Sequence, residues 1–319
     1  MCGFIGVFHK DPNNIANLNE INQTLELEKR GPDETSFFCD RNFAIKFYRL
    51  SIVGGNDGKQ PLHDNEDLIA FNGEIYNYKD FSINSKSDTY VLFNLLKQRD
   101  FKTLSKLKGM YAFVHWSKRT NSLVFGRDFW GKKPLYYIST KDSIFFSSSI
   151  NSLSQNLKNK TFDMKFLESY FTYGYSILGG TPFKSIKEAP SGEIFFPINN
   201  KSLKISPIKN YNKYKNLSSQ DVVIECKRLF EEIIKRKAHS VSSLYLSGGI
   251  DSTIVKKLLE KNQKDFKTFT LYFENYKYNE DVNLKNEENH KDIFITKTAL
   301  INAVNKTLSV DGKDRKSVV

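Results

Sequence analysis

The sequence predicts two domains of different fold class, an α+β first domain built around a sandwich of strands and a partial α/β second domain with a parallel sheet. In the first half of the chain, short apolar runs separated by turn residues outnumber helical patterns. After residue 216, strand and helix patterns alternate, which is typical of a parallel sheet. The chain has 319 residues, enough for two cores, because a domain usually spans about 100–200 residues.

Seven apolar runs in the first domain predict strands, because turn residues bound each of them. They cover residues 3–8, 43–53, 68–71, 110–116, 122–125, 135–139 and 144–147. Apolar residues at helical spacing predict helices over 15–29 and 88–96, and Ser87 is placed to cap the second. We therefore expect a sheet sandwich flanked by helices over residues 2–155.

Residues 156–216 predict an inter-domain junction, because they are rich in Asn, Lys and Ser and contain four prolines. The rhythm then changes to a helix, a strand, a helix and two strands, over 220–239, 243–246, 253–261, 266–273 and 292–296. We assign residues 217–308 to the second domain.

Composition argues against two classes of function. The net charge is +12, but the 39 Lys and 9 Arg are scattered along the chain, so we predict no nucleic-acid binding. There is no signal-peptide pattern and no apolar run near the roughly 18 residues of a membrane span. The three cysteines form neither a disulfide framework nor a zinc-ligand spacing. We expect a cytoplasmic protein without a membrane partner.

Cys2 becomes chemically distinctive if Met1 is removed, because one residue then carries both a thiol and a free α-amine. The reference pKa of an α-amine is about 7.7–8.0. Near neutral pH this amine can therefore accept the thiol proton, directly or through water. The alternative is a chance cysteine without a chemical role.

Acyl transfer at such a thiol also needs donors for an oxyanion. Asn72-Gly73-Glu74 follows a predicted strand, and we expect it to form a sharp turn whose amide and backbone N–H groups are such donors. The alternative is an ordinary hairpin turn. Arg49 and Asp88 offer opposite charges for a zwitterionic amino-acid substrate, although each one taken alone is more typical of a solvated surface charge.

Eight motifs occur in order along the first domain. They are MCGFIGVF at 1–8, KRGPD at 29–33, RLSIV at 49–53, QPL at 60–62, NGEIYNY at 72–78, SD at 87–88, GMYAFVHW at 109–116 and GRDFWGKKPLYY at 126–137. Together they resemble the class II glutamine amidotransferase domain of asparagine synthetase over residues 2–150.

The resemblance implies an N-terminal-nucleophile αββα sandwich and a glutamine site. By it, Cys2 is the nucleophile, and Asn72 and Gly73 form the oxyanion hole. The remaining glutamine-binding residues that it implies are Arg49 for the carboxylate, Asp88 for the ammonium group, and Glu74, Leu50, Ser51, Ile52 and Val53 along the pocket. The glutaminase step requires no cofactor.

In the second domain, Ser247-Gly248-Gly249-Ile250-Asp251-Ser252 lies between a predicted strand and a predicted helix. Two glycines allow backbone N–H groups to turn toward a phosphate, and the helix N-terminus adds partial positive charge. The segment resembles the PP-loop, which binds ATP and releases AMP and pyrophosphate. By that resemblance Leu246 and Leu271 contact adenine, Ser247, Gly248, Gly249 and Ser252 contact the nucleotide, and Asp251 helps to hold Mg²⁺.

A class II glutaminase followed by a PP-loop resembles asparagine synthase (glutamine-hydrolysing), an ATP-dependent carbon–nitrogen ligase. The resemblance implies that ammonia released at Cys2 aminates an ATP-activated aspartate, β-aspartyl-AMP, and that the full-length protein is a homodimer.

We expect this chain to lack most of the synthetase half, including the aspartate site, and to act by itself as a glutaminase. Residues 314–319 equal one reading frame of a common sequencing-library adapter, so 309–319 are predicted to be a non-native tail. Two alternatives stay open: a related amidotransferase for another carboxylate, such as a sugar acid, and a non-enzymatic glutamine-binding regulator.

Overall fold

The computed structural model describes eleven stretches of the chain. They are residues 1–22, 25–52, 54–81, 87–157, 159–177, 179–205, 214–237, 243–262, 265–277, 279 and 289–311. In the last stretch, side chains are described as far as residue 305. The chain divides into two compact units, residues 1–207 and 208–313.

Two six-stranded antiparallel sheets form the centre of the first unit. The first sheet has the order β10 (Lys187–Glu188), β8 (Tyr136–Ser139), β9 (Ser143–Ser147), β1 (Gly3–His9), β3 (Phe43–Arg49) and β2 (Glu34–Asp40). The second has the order β12 (Lys201–Lys204), β11 (Glu193–Phe196), β7 (Ser122–Arg127), β6 (Gly109–Ser117), β5 (Asp67–Ile75) and β4 (Leu62–His63). All seven predicted strands are present.

An aromatic core joins the two sheets. Phe43 of β3 stacks on Trp116 of β6 with ring centroids 5.0 Å apart, and Phe4, Phe47 and Phe125 are fully buried in the same cluster. Helices α2 (Asp88–Lys97) and α3 (Phe101–Leu104) cover the outer face of β5 and β6, whereas α1 (Leu25–Arg30) covers β1 and β3. The predicted αββα sandwich is confirmed.

One predicted helix, over residues 15–29, is wrong. The structure has a 3-10 turn at Leu18–Glu20, followed after residues 23–24 by the short helix α1. Asn17 is the N-cap of this turn, in a capping box with Glu20, and Ile21 after its last residue is extended. Extended backbone at Asn17 and at Ile21 excludes one helix through both positions. The helix predicted at 88–96 is confirmed, and Ser87 Oγ accepts from the N–H of Tyr90.

The predicted turn at Asn72-Gly73-Glu74 is also wrong. These residues lie inside β5, where Gly73 stands opposite Tyr111 and Glu74 opposite Met110 of β6. The β5–β6 ladder runs on to Ile75 and Gly109, so the strand extends four residues beyond the predicted one.

Residues between 156 and 207 add regular structure to the first unit. Helix α4 (Ile150–Ser154) precedes them, and α5 (Met164–Tyr173) begins at the N-cap Asp163 and ends at Gly174. Strand β10 pairs with β8, and β11 pairs with both β7 and β12. This part of the predicted junction therefore contributes to both sheets.

The second unit contains a three-stranded parallel sheet. The elements of this unit, in chain order, are α6 (Ser219–Lys237), β13 (Ser243–Tyr245), α7 (Ile250–Asn262), β14 (Lys267–Phe273), β15 (His290–Ile295) and α8 (Lys297–Asp311). The sheet order is β13-β14-β15, with all pairs parallel. The prediction of alternating strands and helices is confirmed. Residues 309–311 continue α8, and 312–319 lie outside the described residues.

None of the helices in the described ranges combines the length and apolar character needed to cross a membrane.

Candidate functional site

A pocket in the first unit gathers eight of the ten residues predicted for the glutaminase. These are Cys2, Arg49, Leu50, Ile52, Asn72, Gly73, Glu74 and Asp88. They come from the start of β1, the end of β3, the middle of β5 and the start of α2. Met1 also lines the pocket, so its removal would widen the space beside the thiol.

Two predicted residues are not part of this lining. Ser51 is exposed, and its N–H donates to Asp33 Oδ2 at 2.7 Å, outside the pocket lining. Val53 lies outside the described residues.

The thiol of Cys2 is half-buried and packs against the core between the sheets. The N–H of Leu50 donates to Sγ at 3.5 Å. Burial raises the pKa of the Cys2 thiol, while this N–H and the charges of the chain's amino group, Arg49 and Arg30 oppose the rise. A thiol in this position needs a neighbouring base and positive charge to act as a nucleophile.

Asn72 is the most unusual polar residue of the pocket. It is 1% exposed, yet in the described part of the chain neither Oδ1 nor Nδ2 has a hydrogen-bond partner. Buried polar side chains are usually satisfied, because an unpaired one costs roughly 1–3 kcal/mol. The amide therefore has both its donor and its acceptor available to a ligand.

The outer edge of β5 carries a row of backbone donors. The N–H of Phe71 donates to Gln60 Oε1 at 2.7 Å, and the N–H of Ile75 donates to Asp88 Oδ2 at 3.0 Å. Alternate residues of a strand direct their N–H groups to the same side, so the N–H of Gly73 lies between these two at the pocket. A Cβ on Gly73, whose φ is 151°, would lie 2.1 Å from Met110 O.

Three charged side chains, besides Lys133, also line the pocket. Arg49 is buried; its Nη1 lies 3.3 Å from Glu34 Oε2, and its Nη2 donates to Gly55 O. Burial raises the pKa of Asp88 to about 6, although the N–H groups of Ile75 and Thr89 oppose the rise. The pocket thus offers one guanidinium and, with Glu74, two carboxylates.

Sequence reasoning missed three buried polar residues of the lining, Gln60, Thr89 and Lys133. Gln60 and Lys133 belong to the recognised motifs QPL and GRDFWGKKPLYY, and Thr89 directly follows the SD motif. These motifs are the only signal for the three residues, because nothing in local spacing places them beside Cys2.

The second candidate site, in the second unit, is the loop between β13 and α7. Gly248 has φ 78°, a conformation that favours glycine. Helix α7 begins at Ile250, three residues earlier than predicted, so Asp251 and Ser252 lie in its first turn. Ser247 Oγ lies 3.2 Å from Ser252 Oγ, and Ser252 Oγ donates to Gly249 O at 3.1 Å. These contacts hold the loop closed on the helix N-terminus.

The two leucines predicted to contact adenine lie on adjacent strands. Leu246 is buried, and its N–H donates to Phe269 O at 2.7 Å. Leu271 lies in β14 and is 39% exposed. Asp251 is exposed, and the described residues contain no cluster of three His, Cys, Asp or Glu side chains suited to a metal.

Two family models of known proteins match this chain. Residues 1–212 match the family model of a glutamine amidotransferase domain, and residues 225–311 match that of asparagine synthase.

Two relatives are asparagine synthetases [glutamine-hydrolyzing] of Bacillus subtilis. Synthetase 1 is 31% identical, and the match covers 88% of this chain and 47% of the length of that protein. Synthetase 2 is 28% identical, and the match covers 88% of this chain and 41% of the length of that protein. The chain thus spans about half the length of the curated relatives that it matches. A solved structure, titled as the allosteric regulatory enzyme of purine biosynthesis, aligns with a TM-score of 0.43 and 17% identity over 85% of this chain and 74% of that one.

Proposed function

We propose that this chain, which belongs to the glutamine amidotransferase domain family, releases ammonia from the side-chain amide of glutamine at Cys2. The observation that carries the proposal is the buried amide of Asn72. It has no hydrogen-bond partner among the residues that the structure describes, and it lines the same pocket as the Cys2 thiol.

The glutaminase reaction follows from the groups around Cys2. After Met1 is removed, the α-amine of Cys2 takes the thiol proton, and Sγ attacks the side-chain carbonyl carbon of glutamine. The oxygen of the tetrahedral adduct accepts hydrogen bonds from Asn72 Nδ2 and the N–H of Gly73. The C–N bond breaks, the α-ammonium returns a proton to the leaving nitrogen, and ammonia departs. Water then hydrolyses the thioester to glutamate and restores the thiol.

Opposite charges in the pocket select the amino-acid part of glutamine. The Arg49 guanidinium suits the α-carboxylate, because its planar fork can donate two parallel hydrogen bonds. Asp88 and Glu74 suit the α-ammonium group. Arg49 keeps its bonds to Glu34 and Gly55, which hold its guanidinium in place for the ligand.

For the whole protein we propose asparagine synthase activity, in which the ammonia aminates an ATP-activated aspartate. The loop of Ser247, Gly248, Gly249 and Ser252 fits a phosphate, since a positive-φ glycine precedes the N-terminus of α7. Asp251 in the same turn supplies one carboxylate. One carboxylate suits Mg²⁺, which usually binds proteins through one or two carboxylates together with phosphates and water. The bound ion would neutralise phosphate charge.

The other proposals for the full-length protein follow from the resemblance. They are adenine contacts by Leu246 and Leu271, glutamine contacts by Leu50, Ile52 and Val53, a homodimer and a cytoplasmic location.

Glutamate release from glutamine tests the glutaminase directly. We expect release by protein whose N-terminal residue is shown by mass spectrometry to be Cys2, and its loss in Cys2→Ala. Cys39→Ala is the matched control, because Cys39 is also a free thiol but is exposed and does not line the pocket. Absence of glutamate from correctly processed protein would refute the proposal and favour a glutamine-binding regulator.

A further inference from the structure

Lys133 is a buried cation that the proposed chemistry does not use. Its side chain lines the same pocket as Cys2, Asn72 and Glu74, and the residue is 7% exposed. Lysine is rarely buried this deeply without a partner or a function. The neighbouring Lys132 is exposed, so this turn separates two lysines into different environments.

The turn that carries Lys133 is anchored on both sides. Arg127 Nε donates to Lys133 O at 2.9 Å, and Arg127 Nη2 donates to Gly131 O at 2.6 Å. Asp128 accepts from the N–H groups of Trp130 and Lys132, each at 3.0 Å. Since Arg127 is itself buried and also bound to Ala189 O at 2.7 Å, the backbone of Lys133 is fixed relative to the sheet.

We propose that Lys133 is a positioning residue that acts through its charge on Cys2. Its ammonium group stabilises the thiolate form of Cys2 and disfavours protonation of the α-amine beside it. The part that concerns the amine rests on the proposed function, because only that function uses the amine as a base.

The charges that face these groups come from several elements. The amine at the chain start, which belongs to Met1 in this structure, faces Cys2, Arg30, Lys133 and Asp33, and burial lowers its pKa. The same Arg30 and Lys133 lower the pKa of this amine further, whereas Asp33 and Cys2 raise it.

Charges around Lys133 itself favour its protonated form in part. Burial lowers the pKa of the Lys133 ammonium, and Arg30 adds to that fall, whereas Glu74, Cys2 and Asp128 oppose it. Attraction and repulsion between charges in a pocket follow distance and sign. Removing this cation should therefore make thiolate formation at Cys2 harder.

Alkylation of Cys2 by iodoacetamide as a function of pH measures this effect without glutamine. Mass spectrometry of the N-terminal peptide follows Cys2, and Cys39 and Cys226 in the same sample serve as free, exposed internal references. In Lys133→Met and Lys133→Gln we expect the alkylation midpoint of Cys2 to move to higher pH by roughly half a unit to one unit. The reference cysteines should not change.

Two further variants separate charge from packing. Lys133→Arg should keep the wild-type midpoint, because the positive charge is retained. Lys132→Met removes the same charge one residue away on the exposed side and should also leave the midpoint unchanged. An unchanged midpoint in both neutral Lys133 variants, or an equal shift in Lys133→Arg, would overturn the proposal.

Steady-state glutamate release distinguishes this proposal from the proposed function. In Lys133→Met the acidic limb of the kcat/KM profile should move to higher pH together with the alkylation midpoint. A higher KM for glutamine with an unchanged profile would show that Lys133 binds substrate instead and would overturn the proposal. The alkylation midpoint could shift between wild type and Lys133→Met while correctly processed wild type releases no glutamate. That result would support the charge effect and refute the glutaminase.

Discussion

Replacement of Asn72 by leucine should move stability and activity in opposite directions. Asn72 follows Leu68 and Ala70 on the face of β5 that points into the core between the sheets, and it stands opposite the buried Ala112. An apolar residue would be the usual choice at this position. Instead the position holds the Asn72 amide, whose two polar atoms have no hydrogen-bond partner among the described residues.

The magnitudes follow from what the substitution removes. Burying an unpaired amide costs roughly 1–3 kcal/mol, and leucine would remove that cost. Leucine is larger than asparagine, so overpacking opposes the gain, but the adjoining pocket gives the side chain room. We expect Asn72→Leu to raise the free energy of unfolding by about 1 kcal/mol. Loss of one oxyanion donor should lower kcat by about 10²–10³-fold.

Two measurements on the same samples check this prediction. Urea denaturation reports the free energy of unfolding, and glutamate release reports kcat. A fall of more than about 1 kcal/mol in stability would refute the argument that the unpaired amide is the dominant energetic cost at this position. An unchanged kcat would place the oxyanion elsewhere.

Two other predictions concern Asp88 and Gly73. Because the pKa of Asp88 is raised to about 6, KM for glutamine should rise as pH falls through 6, and Asp88→Asn should abolish this dependence; a pH-independent KM in wild type would contradict it. Its folded pKa exceeds the unfolded value, so Asp88 stabilises the fold most below about pH 4, and this contribution is lost as pH rises through 6. Urea titrations of wild type and Asp88→Asn at several pH values would measure the difference. Gly73→Ala should lower the free energy of unfolding by about 3 kcal/mol or more, since the added Cβ meets a backbone carbonyl at 2.1 Å. Gly180→Ala, also at positive φ but in open space, should lower it by about 1 kcal/mol. Equal losses of stability in urea denaturation would refute the steric argument.

Local sequence patterns predicted the strands of the first unit well, because runs such as Gly3–His9 are apolar on both faces and bounded by turn residues. Strands β2, β4, β10, β11 and β12 were missed; β2, for example, lies at an edge of the sheet and contains only a short apolar run. The helix predicted over 15–29 is interrupted because Asn17 and Ile21 have extended backbone. In the second unit, the order of strands and helices followed directly from the alternating pattern.

The sequence by itself determined the two fold classes, the ordered motifs and the nature of the reactive groups, because these depend on periodicity and residue type. Only the tertiary structure decided how those groups meet. It placed Asn72 inside a strand rather than at a turn, left its amide without a hydrogen-bond partner among the described residues, and placed Ser51 outside the pocket lining. It also buried Lys133 beside Cys2 while Lys132 stayed exposed. Burial and pairing depend on residues far apart in the chain, and a local pattern does not contain that information.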